Sequence, residues 1–218
     1  MRLEEKNCLS MLGLVRAFFI GMKMRVLIAC EYSGRVREAF RKLGHDAWSC
    51  DILPSDNPTL FHFQGDIFDI IGERWDLMIA HPPCTHLAIS GARYFPEKIK
   101  DGRQQAALNF VQRLMDAPID RICIENPVSV ISSKIRKPDQ LIQPYEYGDP
   151  ETKKTCLWLK NLPKLIPTNI VEPNFIIAGG KKYSPTHYNT YKNQATRAKV
   201  RSLTYQGIAD AMAEQWGK

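Results

Sequence analysis

The sequence predicts an α/β protein with an open, mostly parallel sheet and helices on both faces. Short apolar runs typical of buried strands alternate along the chain with segments whose apolar residues recur at helical spacing. Polar residues with functional side chains follow several of these runs, at the positions where open parallel sheets bind their ligands. A chain of 218 residues is long enough for one such Rossmann-like domain with a sizeable core.

The strand predictions follow from apolar or β-branched runs that end at turn residues. The clearest run is Arg25–Cys30, which the turn Glu31–Gly34 follows. The third run is weak because it is short and partly polar. The later predicted strands are, in order, Asp46–Cys50, His62–Gln64, Trp75–Ala80, Arg121–Glu125 and Thr155–Leu159.

Helices are predicted where apolar residues share one helical face. The first covers Val36–Leu43, and Gly44 closes it. The second covers Arg103–Met115. A final helix runs to Trp216 with Thr204 as its cap.

Composition limits the classes of partner and site. The net charge of +7 and the isoelectric point of about 9.1 favour a polyanionic partner, with nucleic acid as the first candidate and an ordinary basic protein as the alternative. The six cysteines form no Cys-x-x-Cys pair, so we expect no metal site and no thioredoxin-like site. Cys30, Cys50, Cys123 and Cys156 are predicted to be core residues. Reduced thiols indicate a cytoplasmic location.

Residues 1–23 are predicted to be an extension that is poorly ordered, either a loosely docked helix or a mis-assigned start. The apolar stretch Leu9–Met22 is short for a membrane span, and Arg16 interrupts it. The start of the chain lacks the basic character of a signal peptide. We therefore expect one domain over residues 24–218, with no membrane association.

The segment His81–Cys84 is the first candidate for chemistry. Cys84 follows a predicted strand on a Pro-Pro turn, which would hold the thiol at the edge of the sheet. A thiolate there could add to an electron-poor ring carbon. Taken alone, a buried structural cysteine is the more common explanation.

The segment Glu125–Pro127 strengthens the chemical interpretation. Glu125 follows the next predicted strand, so its carboxylate is expected to face the same crevice as Cys84. A glutamate beside a nucleophilic cysteine can bind and protonate a ring nitrogen. The alternative is a glutamate that caps the following turn.

Together, Asp76–Cys84 and the later Glu125–Pro127 resemble the cytosine-5 DNA methyltransferase family, which has a Pro-Pro-Cys loop and a Glu-Asn motif after parallel strands. The resemblance implies that Cys84 attacks carbon 6 of cytosine while Glu125 contacts N3. Carbon 5 then receives a methyl group from S-adenosylmethionine. The implied partner is DNA, in double-stranded form, with the target base flipped out of the duplex.

The resemblance extends to loops that would hold the cofactor. Ala29–Gly34 is similar to the loop that meets the amino-acid part of the cofactor, where Gly34 would permit close approach. Asp51 matches the acid for the ribose, and Gly65–Ile67 the loop for the adenine. The implied cofactor residues are Glu31, Tyr32, Ser33, Gly34, Asp51, Ile52, Asp66, Ile67 and Pro82. Turn or cap roles are the alternative for each acid.

Basic residues in the last third of the chain are further candidates. Lys153 and Lys154 follow Tyr147–Pro150, where the family carries a Tyr-Gly turn and a basic segment, and they could bind the base or a phosphate. Basic residues that alternate with aromatic or polar ones could follow the DNA backbone or be solvated loop residues. These are Lys181, Lys182, Arg197, Lys199 and Arg201.

The chain also departs from the family pattern. Thr85 stands where the family usually has Gln, and the first loop has lost most of its glycines. Only residues 160–200, rich in Pro, Asn and Lys, stand where larger members carry a recognition domain. The compact form is similar to small methylases of bacteriophage genomes. The resemblance then implies one of three cases: the target specificity is low, a protein partner supplies it, or the substrate is another nucleic acid.

Three alternatives stay open at this point. Amino methyltransferases acting on adenine N6 or cytosine N4 use an Asp/Asn-Pro-Pro-aromatic loop, which His81–Cys84 does not match. A degenerate fold that binds nucleic acid or cofactor without turnover would not need Cys84 and Glu125 together. Thymidylate synthases also use a Pro-Cys nucleophile, but the rest of their pattern is absent.

Overall fold

The structure is a computed structural model that describes residues 23–188 and 199–218. Its main feature is a seven-stranded sheet. The strands are β1 Arg25–Ala29, β2 Asp46–Asp51, β3 His62–Gln64, β4 Leu77–Ala80, β5 Arg121–Pro127, β6 Gln140–Ile142 and β7 Thr155–Lys160. A separate hairpin pairs β8 Ile176–Ala178 with β9 Lys181–Tyr183.

The helices connect and cover these strands. They are α1 Arg35–Lys42, α2 Phe95–Lys100, α3 Arg103–Met115, α4 Ile131–Lys134, α5 Pro185–Tyr188 and α6 Gln206–Trp216. Short 3₁₀ turns occur at Ile67–Asp69, Ile89–Tyr94 and Pro144–Glu146. Within the described ranges, no helix has the length and apolar character needed to cross a bilayer.

The strand order is β3-β2-β1-β4-β5-β7-β6. Strands β1 to β5 pair in parallel, and β7 runs antiparallel between β5 and β6. The order 3-2-1-4-5 is that of a doubly wound sheet, and it changes direction between β1 and β4. The predicted mostly parallel sheet is confirmed, and its strand order is consistent with the predicted Rossmann-like fold. A ligand crevice is expected beyond the carboxyl ends of β1 and β4.

Both faces of the sheet are buried, as the continuous apolar run in β1 predicts. Val26 and Ile28 join the core on one face, with α1 and α6, where Phe40 and Trp216 are buried. Leu27 and Ala29 face the other core, with α3. The alternation of side chains along β1 therefore divides its residues between two cores.

Several boundaries differ from the predictions. The last helix begins at Gln206, with Tyr205 before it, so the prediction of Thr204 as its cap is wrong. Thr204 is held instead by its carbonyl oxygen, which accepts a hydrogen bond from Arg35. Strand β6 and the β8–β9 hairpin were not predicted, because strands of three residues are too short to show a period of two. The extension predicted over residues 1–23 lies outside the described residues, apart from Lys23.

Gly207 marks the closest approach of α6 to the loop after β6. A Cβ atom on Gly207 would overlap the backbone carbonyl oxygen of Tyr147, so a side chain there requires the helix to move. We expect Gly207→Ala to lower the free energy of unfolding by about 1–3 kcal/mol, as overpacking does in cores. Urea denaturation measures the change.

Gly72→Ala is the matched control, because nothing lies within 4 Å of a Cβ atom at Gly72. Equal stability of the two variants would contradict the close contact at Gly207.

Candidate active site

The backbone after β4 is fixed from its first residue. The amide of His81 donates to the carbonyl oxygen of Ala29 at 2.9 Å, which extends the pairing with β1 past the end of the strand. Pro82 and Pro83 follow, and their rings restrict φ. The carbonyl oxygen of Cys84 then accepts from the amides of the next turn, at 3.0 Å and 2.9 Å. The half-buried Cys84 side chain is therefore held on a rigid segment at the edge of the sheet.

The carboxyl end of β5 and the loop after it hold this segment in place. The side chain of Asn126 is buried and donates from Nδ2 to the carbonyl oxygen of Pro82 at 2.8 Å. A backbone bridge also pairs Ala88 with Ser129. The two residues of the Glu-Asn motif therefore have separate roles: Asn126 holds the Cys84 loop, and Glu125 is left to face it.

Glu125 forms a close pair with His81. Nδ1 of His81 lies 2.9 Å from Oε2 of Glu125, and the two side chains are only 9% and 16% exposed. Burial alone would raise the pKa of Glu125, but the hydrogen bond that His81 donates, together with the positive charge of Lys153, outweighs burial and holds the pKa below its usual value. Glu125 is therefore a carboxylate at neutral pH.

The Cys84 thiol is protonated at neutral pH in this structure. Burial raises its pKa above the usual value, and the nearby charge of Glu125 raises it further. The positive charges of Lys153 and Arg201 act in the opposite direction. Cys84, Glu125, Lys153 and Arg201 thus form one electrostatic cluster, although Arg201 was predicted to be a contact for the DNA backbone.

The two predicted catalytic lysines differ in position. Lys153 is half-buried, and its Nζ donates to the carbonyl oxygen of Arg201 at 2.9 Å, with the ring of Tyr205 5.6 Å away. Lys154 is exposed. The structure therefore brings Lys153 to the cluster around Cys84 and leaves Lys154 at the surface.

The loop after β1 supports α1 with its own side chains. Glu31 is buried, and its carboxylate accepts from the amides of Val36 at 2.8 Å and Arg37 at 3.3 Å. Gly34 has φ 73°, and a Cβ atom there would overlap the buried guanidinium of Arg37. The backbone turn and the Arg37 side chain both require a glycine here, and the role of Gly34 at the cofactor stays a prediction.

A small pocket of about 50 Å³ lies between this loop and the segment before α6. Its lining comprises Cys30, Glu31, Tyr32, Ser33, His81, Ser202, Leu203 and Thr204. Tyr32 Oη lies 2.9 Å from Ser202 Oγ, which joins the two walls. Cys30 has φ 59°, a strained conformation for a residue other than glycine. Backbone strain of this kind clusters at functional sites.

The predicted acids for the ribose and adenine lie on neighbouring loops. Burial raises the pKa of Asp51, whose Oδ1 accepts from the amide of Leu53 at 2.9 Å. Asp66 accepts from the amide of Phe68 and so caps the following 3₁₀ turn. After burial, the charges of Asp51 and Asp66 add to the rise in the pKa of Cys30, so the loops after β1, β2 and β3 converge.

Three other predicted cofactor residues have distinct surroundings. Ile52 is exposed, whereas the side chain of Ile67 packs in the core on the α3 face. The Ile67 side chain thus serves the core, and its part in the loop for the adenine stays a prediction. Pro82 is buried and contributes the carbonyl oxygen that Asn126 binds.

The predicted DNA-contacting residues are spread over two regions. Lys181 and Lys182 are exposed on β9, and Nζ of Lys182 lies 5.4 Å from the ring centroid of Phe175. Lys199 pairs with Asp56 at 2.6 Å, beside the pocket. Arg197 lies outside the described residues. Among the described residues, no group of three or more His, Cys, Asp or Glu side chains could hold a metal ion.

Sequence reasoning gave no role to His81 or Asn126, although both belong to the motifs that carry the resemblance. Two local signals could have indicated them. His81 is the first residue after a strand at the switch point, and Asn126 follows the candidate acid directly. Residues 202–204 gave no local signal, because their place in the pocket depends on a contact between distant parts of the chain.

The chain matches no family model and no curated protein. A solved structure of the Entamoeba histolytica methyltransferase EhMeth is similar with a TM-score of 0.45 and 16% sequence identity. The match covers 79% of this chain and 62% of that chain, so this chain spans less than two thirds of the matched structure. The function proposed below is drawn from the site alone.

The raised pKa of Cys84 predicts slow alkylation by iodoacetamide at neutral pH, because the thiolate is the reacting form. The rate should rise about tenfold per pH unit below that pKa. Lys153→Gln removes a charge that favours the thiolate, so the rate at pH 8 should fall. Peptide mapping by mass spectrometry identifies alkylation at Cys84.

Lys154→Gln is the matched control for this measurement and should leave the rate at Cys84 unchanged. An equal effect of both variants would show that the structure does not distinguish the two lysines.

Proposed function

We propose that this chain is an S-adenosylmethionine-dependent methyltransferase that modifies carbon 5 of cytosine in DNA, with Cys84 as the nucleophile. One observation carries the proposal. Cys84 follows β4, Glu125 lies near the carboxyl end of the neighbouring parallel strand β5, and the charge of Glu125 acts on the Cys84 thiol. A thiol and a carboxylate placed together at the switch point suit addition to a heteroaromatic ring.

The ionisation states of the pair suit the first step. The Cys84 thiol gives up its proton as Sγ forms a bond to carbon 6 of the ring. Glu125, which is ionised, accepts a proton and passes it to N3, so that the ring is protonated as the thioether forms. Carbon 5, once it carries the methyl group, loses its proton to solvent as Sγ departs. The proton on N3 returns through Glu125 to the thiolate, so that the aromatic ring and the thiol are both restored. Lys153 stabilises the thiolate while the proton is in transfer.

The residues around the crevice fit the cofactor in part. Bound S-adenosylmethionine would supply the methyl group that carbon 5 receives. The pocket of about 50 Å³ has room for a small polar group rather than for the whole molecule. One oxygen of Asp51 binds the amide of Leu53, so the other could accept from a ribose hydroxyl. Tyr32 and Ser33 would border the amino-acid end, and Asp66 the adenine.

DNA is the proposed partner. The net charge of +7 supports it, as do the exposed Lys181 and Lys182 on the β8–β9 hairpin. Residues 161–188 contain only this hairpin and one short helix as regular structure. We therefore also propose that a protein partner supplies the choice of DNA target. Sequence-selective methylation by the purified protein alone would reject this part of the proposal.

The test is transfer of tritium from labelled S-adenosylmethionine to unmodified duplex DNA. We expect the wild type to yield 5-methylcytosine on digestion. Cys84→Ala should abolish transfer, and Glu125→Gln should reduce it by about 10²-fold or more, because it removes the proton acceptor. Cys123→Ala, a buried position on β5, should keep the activity.

Other outcomes reject parts of the proposal. Transfer retained by Cys84→Ala would exclude the covalent mechanism. Label on an exocyclic amino group would assign an amino methyltransferase. Cofactor binding without transfer to any DNA or RNA would leave a binding protein without turnover.

Asp51→Asn should weaken binding of S-adenosylhomocysteine about tenfold or more, because a hydrogen bond to a charged group contributes roughly 1.5–3 kcal/mol. Isothermal titration calorimetry gives the dissociation constant. Asp69→Asn is the control, since Asp69 is an exposed acid beyond the next strand. An unchanged affinity in Asp51→Asn would remove this residue from the site.

A further inference from the structure

His81 has one satisfied and one unsatisfied ring nitrogen. Nδ1 pairs with Glu125, whereas Nε2 is buried and has no hydrogen-bond partner among the residues that the structure describes. The side chain is only 9% exposed, and it lines the small pocket beside the loop after β1. A buried polar atom without a partner costs roughly 1–3 kcal/mol, so such an atom in a pocket wall indicates a place for a ligand.

The pairing with Glu125 fixes which kind of group Nε2 can bind. An ionised carboxylate only accepts hydrogen bonds, so Nδ1 must carry the proton. In the neutral imidazole, Nε2 is then an acceptor and needs a donor from the pocket. The buried carboxylate of Glu31 lines the same pocket and favours a cationic donor there.

We propose that His81 binds the α-ammonium group of the cofactor's amino-acid part through Nε2 while Nδ1 holds Glu125. The inference rests on the proposed function for the identity of the cofactor. The pocket volume of about 50 Å³ suits a group of the size of an ammonium. His81 is then shared by two sites, since one ring contacts the cofactor and the carboxylate that faces the target base.

The variant His81→Asn separates the two contacts. The asparagine amide can take the place of Nδ1 and still donate to Glu125, but it has no group at the position of Nε2. Glu125 therefore keeps a partner, and the buried carboxylate is not left unpaired. His86→Asn is the control, since His86 follows Cys84 and does not line the pocket.

Calorimetry with three ligands tests the proposal: S-adenosylhomocysteine, its analogue without the α-amino group, and 5′-methylthioadenosine, which lacks the whole amino-acid part. The wild type should prefer S-adenosylhomocysteine to the deaminated analogue. His81→Asn should bind S-adenosylhomocysteine about tenfold or more weakly. Its affinity for the other two ligands should be unchanged, and His86→Asn should behave as the wild type.

The outcomes distinguish a failure of the proposed function from a failure of the role assigned to His81. A wild type that binds none of the three ligands overturns the proposed function and this inference together. A wild type that prefers S-adenosylhomocysteine, with the same preference kept in His81→Asn, overturns only the role of His81. Equal losses for all three ligands would assign His81 a structural role instead.

Discussion

The hydrogen bond from Asn126 to the carbonyl oxygen of Pro82 joins the carboxyl end of β5 to the segment that follows β4. Because both groups are buried, the bond is protected from competition with water, and breaking it leaves an unsatisfied carbonyl. Cys84 lies two residues after Pro82, and Glu125 directly precedes Asn126. The relative position of thiol and carboxylate therefore depends on this contact more than on either side chain itself.

The parallel pairing of β1 with β4 places the loop after β1 on the other side of the crevice. Pairing continues past the end of β4 because the amide of His81 binds Ala29. This brings the loop that supports α1 beside the loop that carries the thiol. Burial at this position has two electrostatic effects. It raises the pKa of Cys84, and it requires His81 and Glu125 to stay hydrogen-bonded to each other, because an unpaired buried carboxylate is costly.

The central strands and α3 were predictable because their signals are local. Arg25–Ala29 is apolar on both faces, and Arg103–Met115 matches its predicted bounds. The end of β4 was predictable from the prolines that follow it, whereas β5 continues through Pro127, two residues past its predicted end at Glu125. The antiparallel direction of β7 was not, because direction depends on pairing with β5 and β6, which leaves no mark on the strand's own residues.

In the candidate site, too, only the features with a local sequence signal could be predicted. Cys84 and Glu125 could be named in advance because Cys84 follows β4 and Glu125 lies near the carboxyl end of β5, whereas the burial of Nε2 in His81 depends on packing against remote segments. Glu31 and Gly34 were predicted as cofactor residues, and the structure shows that they also support α1 and accommodate Arg37. A turn with polar residues has the same local pattern whether it binds a cofactor or caps a helix.

The segment before α6 closes the pocket from the far end of the chain. Lys199 pairs with Asp56, Ser202 with Tyr32, and Thr204 with Arg35, so one wall is contributed by residues more than 140 positions from the other. During synthesis, β1 to β5 leave the ribosome long before this wall exists. The nascent chain can therefore place its thiol and carboxylate at the sheet edge while the pocket beside them still has one wall missing.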